Sequence, residues 1–168
     1  MLTLLSTVIG HAVISHRDGR RLTTITGAIG DSATAKIVAY QTSSTPGLLS
    51  TTDILAYLDE GLVVQDADTL QPEDELIRVK RLGDTRTKFL GLKVFTEQGK
   101  RIGTVNDILI ETDGHFLARL HVRPPWLTRL FSSERIIPRE RIIKMTSREV
   151  VVRYDDKAPV SAEPEIAQ

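Results

Sequence analysis

The sequence predicts an all-β chain built as two small β-barrels in tandem, joined by a short amphipathic helix. Three observations lead there. Runs rich in Val, Ile, Leu and Thr are punctuated by turns such as Asp18-Gly19, Gln98-Gly99 and Asp113-Gly114. Glycine in these turns accepts the positive φ that tight hairpins need. The stretch at 91–110, GLKVFTEQGKRIGTVNDILI, reads as strand, tight turn, strand, and a weaker copy of it stands at 10–29. Turns and apolar positions of the first half then recur in the second over roughly 60 residues, which is the mark of an internal duplication. Strands this short do not build an open sandwich. A sheet of them must curl to bury one face and protect its edges.

In chain order, residues 5–15 (LSTVIGHAVIS) form the first strand, and Arg17-Asp18-Gly19-Arg20 the hairpin turn. Residues 21–30 return, with Gly27 and Gly30 marking a bulge or bend. Residues 35–41 make a third strand, followed by a polar loop at 42–47 and a short apolar strand at Leu48-Leu49. One capped helical turn at 50–53 leads to strands at 54–58 and 62–65. Pro72-Glu73-Asp74-Glu75 then opens the amphipathic helix, because proline and acids suit a first turn. Leu76, Val79 and Leu82 give it one apolar stripe, and Gly83 stops it.

The second half repeats the first. Gly10 aligns with Gly91, Ile25 with Val105, Asp31 with Glu111, Leu49 with Ile137, and Val63 with Val151. The offset is 80–81 early and 88 late, so an insertion falls in the second copy's long loop. Strands are read at 90–95, at 102–111 with a slip of phase between Val105 and Ile108, and at 116–122. In the last of these, Phe116, Ala118, Leu120 and Val122 face one way, and Arg119 and His121 the other. Residues 136–138, 142–145 and 150–153 complete the set. The expected domains are a degenerate barrel at 1–66, the linker helix at 67–86, a second barrel at 87–154, and a disordered tail at 155–168 that lacks periodicity.

Composition narrows the function. The 168 residues include no cysteine, which excludes disulfides, thiol catalysis and cysteine-ligated zinc, and fits a reducing, cytoplasmic setting. The N-terminus lacks the basic region of a signal peptide, and no apolar run is long enough to span a membrane. Net charge is zero but unevenly spread. Residues 1–80 carry 6 basic and 10 acidic side chains, residues 81–154 carry 15 and 8, and the tail 1 and 4. A basic second half suits an acidic partner surface.

Residues 88–153 resemble the PRC-barrel domain family. The resemblance rests on Gly91 and Val94, the Gly99-Lys100 turn, Ile102-Gly103-x-Val105-x-Asp107-Ile108, the Ile137-Pro138 turn and the closing run Val150-Val151-Val152. Gly91, Gly99, Gly103, Asp107 and Pro138 are its structural motif residues. The first copy departs from it, with Thr23 in place of Gly103, Gly27 near the place of Asp107 and Ser50 in place of Pro138. The family includes the cytoplasmic domain of the photosynthetic reaction-centre H subunit and the C-terminal domain of a ribosome maturation factor. The resemblance therefore implies a small non-catalytic barrel, an adaptor that docks on a larger assembly. It leaves open a ribosome- or RNA-associated factor, and a membrane-peripheral module near an electron-transfer complex.

No catalytic, metal or cofactor motif appears. His11, His16, His115 and His121 lack metal-ligand spacing, and HExxH, P-loop and Gly-x-Ser-x-Gly patterns are absent. Asp107 reads as a carboxylate that fixes the bulge by accepting backbone hydrogen bonds. The candidate partner site is the inserted loop at 123–135, RPPWLTRLFSSER, which holds the only tryptophan. Trp126, Leu127, Leu130 and Phe131 are placed to be exposed together on one helical turn. Arg119, Arg123, Arg129, Arg135 and Arg139 supply charge around them. Tryptophan and arginine are frequent interface anchors. The competing expectation is that the loop folds over the barrel and buries its apolar side chains. A protein complex is the first partner class. RNA is the second, weakened by the few aromatics available for base stacking. An anionic membrane surface is the third, since one short segment binds lipid weakly.

Overall fold

A computed structural model describes residues 1–45, 47–128 and 133–154. The strands of the first half are β1 (Leu2–Leu4), β2 (Ala12–Ser15), β3 (Arg21–Asp31), β4 (Lys36–Thr42), β5 (Leu48–Ser50), β6 (Ala56–Leu58) and β7 (Gly61–Val64). Two short strands follow, β8 (Leu70–Gln71) and β9 (Arg86–Thr87). The second half adds β10 (Lys93–Thr96), β11 (Arg101–Glu111), β12 (Phe116–Arg123), β13 (Arg135–Pro138), β14 (Ile142–Met145) and β15 (Glu149–Val152). The only helices among the described residues, apart from single 3-10 turns, are α1 (Leu5–Val8) and α2 (Ile77–Lys80).

The order is β6-β7-β2-β3-β4-β5 in the first half and β14-β15-β10-β11-β12-β13 in the second. In both, a late strand returns parallel to an early one, β7 beside β2 and β15 beside β10: Val13 faces Leu62, and Val94 faces Val150. That non-local pair curls each sheet around an apolar interior. Registers coincide as well. Ala28 faces Tyr40 and Tyr40 faces Leu49, as Ile108 faces Leu120 and Leu120 faces Ile137. Even the turn conformations match, with Ala35 at φ 55° and His115 at φ 56°.

Three local expectations need correction. Residues 5–15 do not form one strand. Leu5 and Val8 are buried on one side of α1, and Gly10 at φ +97° turns the chain before β2 starts. A short apolar run fits either period, and here the helical spacing wins. The joining helix is a single turn rather than the body of residues 67–86, a segment that also holds β8 and the start of β9. Its stripe nevertheless packs: Leu76 and Val79 are buried, and Leu82 half-buried, against Ile29, Val38, Ala39 and Leu48. On β12 the phase slips, because the register passes from Leu109↔Arg119 to Ile110↔Leu117 and leaves Ala118 as an extra residue. Leu117, not Phe116 or Ala118, therefore joins Leu120 and Val122 in the core.

The halves exchange their leading segments. β1 pairs with β11 of the second half, Leu4 opposite Leu109. β9 pairs with β3 of the first, Thr87 opposite Gly30. One bridge, Phe116 to Lys36, joins β12 to β4. Leu5, Phe89, Tyr40, Leu62, Ile108 and Val150 belong to one buried cluster that runs through both halves. Each half is small for a self-sufficient core, and sharing one reduces the surface left exposed.

Candidate functional site

The site is built where β12 is forced to stop. Pro124-Pro125 follows Arg123, and proline offers no N–H to continue the ladder. Pro124 is buried and Pro125 half-buried, which anchors the loop's base. The chain then makes one 3-10 turn, Trp126–Thr128, closed by Thr128 N and Oγ1, which both donate to Pro125 O at 3.0 Å. Trp126 is 73 % exposed and Leu127 68 %. These two side chains are thus presented to solvent and not folded over the barrel. Arg129, Leu130 and Phe131 lie outside the described residues.

The remaining arginines divide by role. Arg123 is exposed at the end of β12. Arg119 is half-buried on the outer face of the sheet, opposite Leu109 and Pro138. Arg135 is held inward. Its Nη1 donates to Ile102 O at 3.0 Å, and its guanidinium lies 5.1 Å from the Tyr154 ring centroid. Arg139 reaches the other half, donating from Nη2 to Thr34 O at 3.3 Å. It also lies 4.8 Å from the Phe116 centroid, where Lys36 Nζ approaches to 4.4 Å. Cations over an aromatic face stabilise modestly. Arg135 and Arg139 thus have intramolecular roles as clamps.

The motif residues shape the scaffold under the loop. Gly91 and Gly99 sit at φ +86° and +80°. Gly103 at φ +156° lies so close to Arg123 O and Val122 that a Cβ would collide with both. Asp107 is 8 % exposed. Its Oδ1 accepts from Ile108 N at 2.8 Å and from Ser6 N at 3.1 Å, and its Oδ2 accepts from Ser6 Oγ. Asp107 therefore ties its own bulge to the first half's α1. Pro138 is half-buried and leads into the 3-10 turn Arg139–Arg141.

One polar chain was not singled out from the sequence. Tyr40 and Tyr57 hydroxyls lie 3.1 Å apart, and Tyr57 Oη lies 3.2 Å from His115 Nδ1. The signal was available: in the shared register Tyr40 and Tyr57 occupy the places of Leu120 and Met145. Burial pushes Tyr57 up to about 12 and Tyr40 well above its ordinary value. Burial, with Arg78 and Lys36 nearby, holds the His115 imidazole below its usual value. The phenols stay protonated and donate, so the chain offers hydrogen bonds and not a phenolate base. A cleft of about 380 Å³ lies beside it, lined by Tyr57, His115, Leu55 and Asp113. Another, of about 910 Å³, is lined by Arg86, Lys88, Lys93 and Arg148 together with Asp84 and Glu149. Among the described residues no three of His, Asp and Glu converge as a metal site. No helix among them is long and apolar enough to cross a membrane.

A curled six-strand unit with a closing parallel pair defines a small β-barrel module. The family model of the PRC-barrel domain matches residues 84–158. The match covers the second half of the chain, which is similar to that family. No curated protein matches the chain.

Proposed function

We propose that the protein is a non-catalytic assembly module that docks on a larger protein complex through its basic second half and the Trp126 loop. One observation carries this reading. The chain's single tryptophan is 73 % exposed beside a 68 % exposed leucine, on a turn stiffened by two prolines. Exposed anchors on a pre-organised turn lose little conformational entropy on binding. Arg123 adds charge at its rim. Arg135 and Arg139, engaged within the chain, steady the scaffold beside it. Residues 87–154 form the PRC-barrel in this reading, 67–86 the connection, and 1–66 a degenerate second copy. The shared strand order and register support the duplication.

The test uses a photo-crosslinking residue at Thr128 in the full chain, in native cells. A discrete protein adduct lost on Trp126→Ala with Leu127→Ala is the expected result. Adducts indifferent to that pair would overturn the reading. Cross-linking to RNA, or flotation with anionic vesicles that depends on Trp126, would replace it with another partner class.

A further inference from the structure

The outer face of β3, β4 and β5 is roofed. Ile29, Val38, Ala39 and Leu48 are buried there beneath Leu76 and Val79 of the α2 segment. The matching face of the second half is made by Leu109, Ala118, Arg119 and Ile136. Ile29 pairs with Ala39 as Leu109 pairs with Arg119, and Gln41 pairs with Leu48 as His121 pairs with Ile136. The described residues leave this second face partly open. Leu48 is 5 % exposed, whereas Ile136 is 46 % exposed. Ile29 and Ala39 are fully buried, whereas Leu109 and Arg119 are only half-buried.

We infer that this face is a docking groove for a short amphipathic segment of a partner protein, with aliphatic side chains three residues apart and a carboxylate placed against Arg119. The first half supplies the template for the aliphatic spacing, in Leu76, Val79 and Leu82. The charge follows from the substitution that distinguishes the two faces. Arg119 stands where the roofed face has Ala39, and exposed Arg123 lies two positions along the same face of β12. The carboxylate beside this face, Glu134, is already engaged by His121 at 3.5 Å and Asn106 at 3.3 Å, so Arg119 and Arg123 leave the face cationic, which selects an acidic partner and repels a basic one. The inference rests on the second half being the docking half. The groove itself is argued from the register and not from the Trp126 loop.

The probe is a capped peptide of residues 72–82 carrying Arg78→Glu, Lys80→Glu and Arg81→Glu, titrated into the methyl-labelled full chain. Chemical-shift changes are expected at the methyls of Leu109, Ala118 and Ile136. Arg119→Glu should weaken binding by about tenfold, as expected for reversal of a close interfacial charge. Ile136→Glu should abolish it, and if that variant fails to fold, Arg119→Glu decides alone. Trp126→Ala with Leu127→Ala should leave peptide affinity unchanged, so failure of the loop reading and failure of the groove are separately visible. Shifts confined to α2 and β5, or none, would overturn the inference. So would movement of the Ile136 methyl on deletion of 155–168, or on dilution, without peptide. Either of those would show that the chain's own terminal segment or a second copy already covers the face.

Discussion

Gly30 has no room for a side chain. Its missing Cβ is replaced by the Phe89 ring, which is fully buried and reaches β3 from the segment leading into the second half. Gly30→Ala must therefore displace the ring or the backbone, at a cost of about 1–3 kcal/mol for overpacking. A lowered urea midpoint with an unchanged slope is the expected result. His115 makes a second single-residue argument. The chain is satisfied when Tyr40 donates to Tyr57 and Tyr57 donates to the neutral Nδ1. Burial first, then Arg78 and Lys36, disfavour the imidazolium, against the opposing pull of Glu111 and Asp113. The folded state thus binds this proton less readily than the unfolded chain, whose imidazole titrates near 6.5. Stability from this group is fully present above that value and is lost as pH falls through the lower folded value. His115→Gln should flatten that part of the pH–stability curve measured by urea unfolding. An unchanged slope in the variant would assign the pH dependence to other groups.

At the scale of elements, the same face of two sheets has opposite fates. Val79 roofs the first and is 2 % exposed, while Ile136 on the second is 46 % exposed. Val79→Ala should cost roughly 1–3 kcal/mol, because it opens a gap under α2. Ile136→Ala should stay within about 0.5 kcal/mol in the isolated protein. Equal costs in thermal unfolding would mean that both faces are covered. Much at this scale was legible. Turn glycines and alternating Val and Ile fixed the hairpin of β10 and β11 and its echo in β2 and β3. The stripe of Leu76, Val79 and Leu82 was legible too, although α2 is one turn long. The bulge at Ala118 was not, since the shift that takes Phe116 out of the core and buries Leu117 depends on pairing with β11 and not on local pattern. Nor was the α1 turn at Leu5, where a short apolar run carries no decisive period. For the site, the proline stop and the tryptophan were visible in sequence. The exposure of Trp126 was not, because burial is a property of what packs against a loop.

The whole molecule turns on the exchanged segments. β1 completes the edge of β11, and α1 supplies the Ser6 donors to Asp107, a contact spanning 101 residues. Phe89 and Thr87 perform the reciprocal service for β3. No pattern local to either half announces this, which is why the sequence suggested two separate barrels. The exchanged strands and the shared core predict that neither half folds alone. A fragment of residues 84–154 would keep the whole second-half sheet yet lose β1, Leu5, Val8 and both Ser6 contacts. Asp107 would remain with Ile108 N alone, and the shared core would lose Leu5 and Val8. A buried carboxylate stripped of donors, and apolar area opened to water, each cost on the order of 1–3 kcal/mol. That is a large share of the stability a unit this small can have. The fragment should therefore be largely unfolded, or melt far below the full chain, by circular dichroism. The full chain should unfold in one calorimetric transition, with calorimetric and van't Hoff enthalpies equal. Adding residues 1–66 in trans should restore the fragment's fold, because β1 and α1 would regain their places on β11. Two resolved transitions in the full chain, or a fragment as stable as the parent, would show that each half carries its own core and that the exchanged segments are only an accessory.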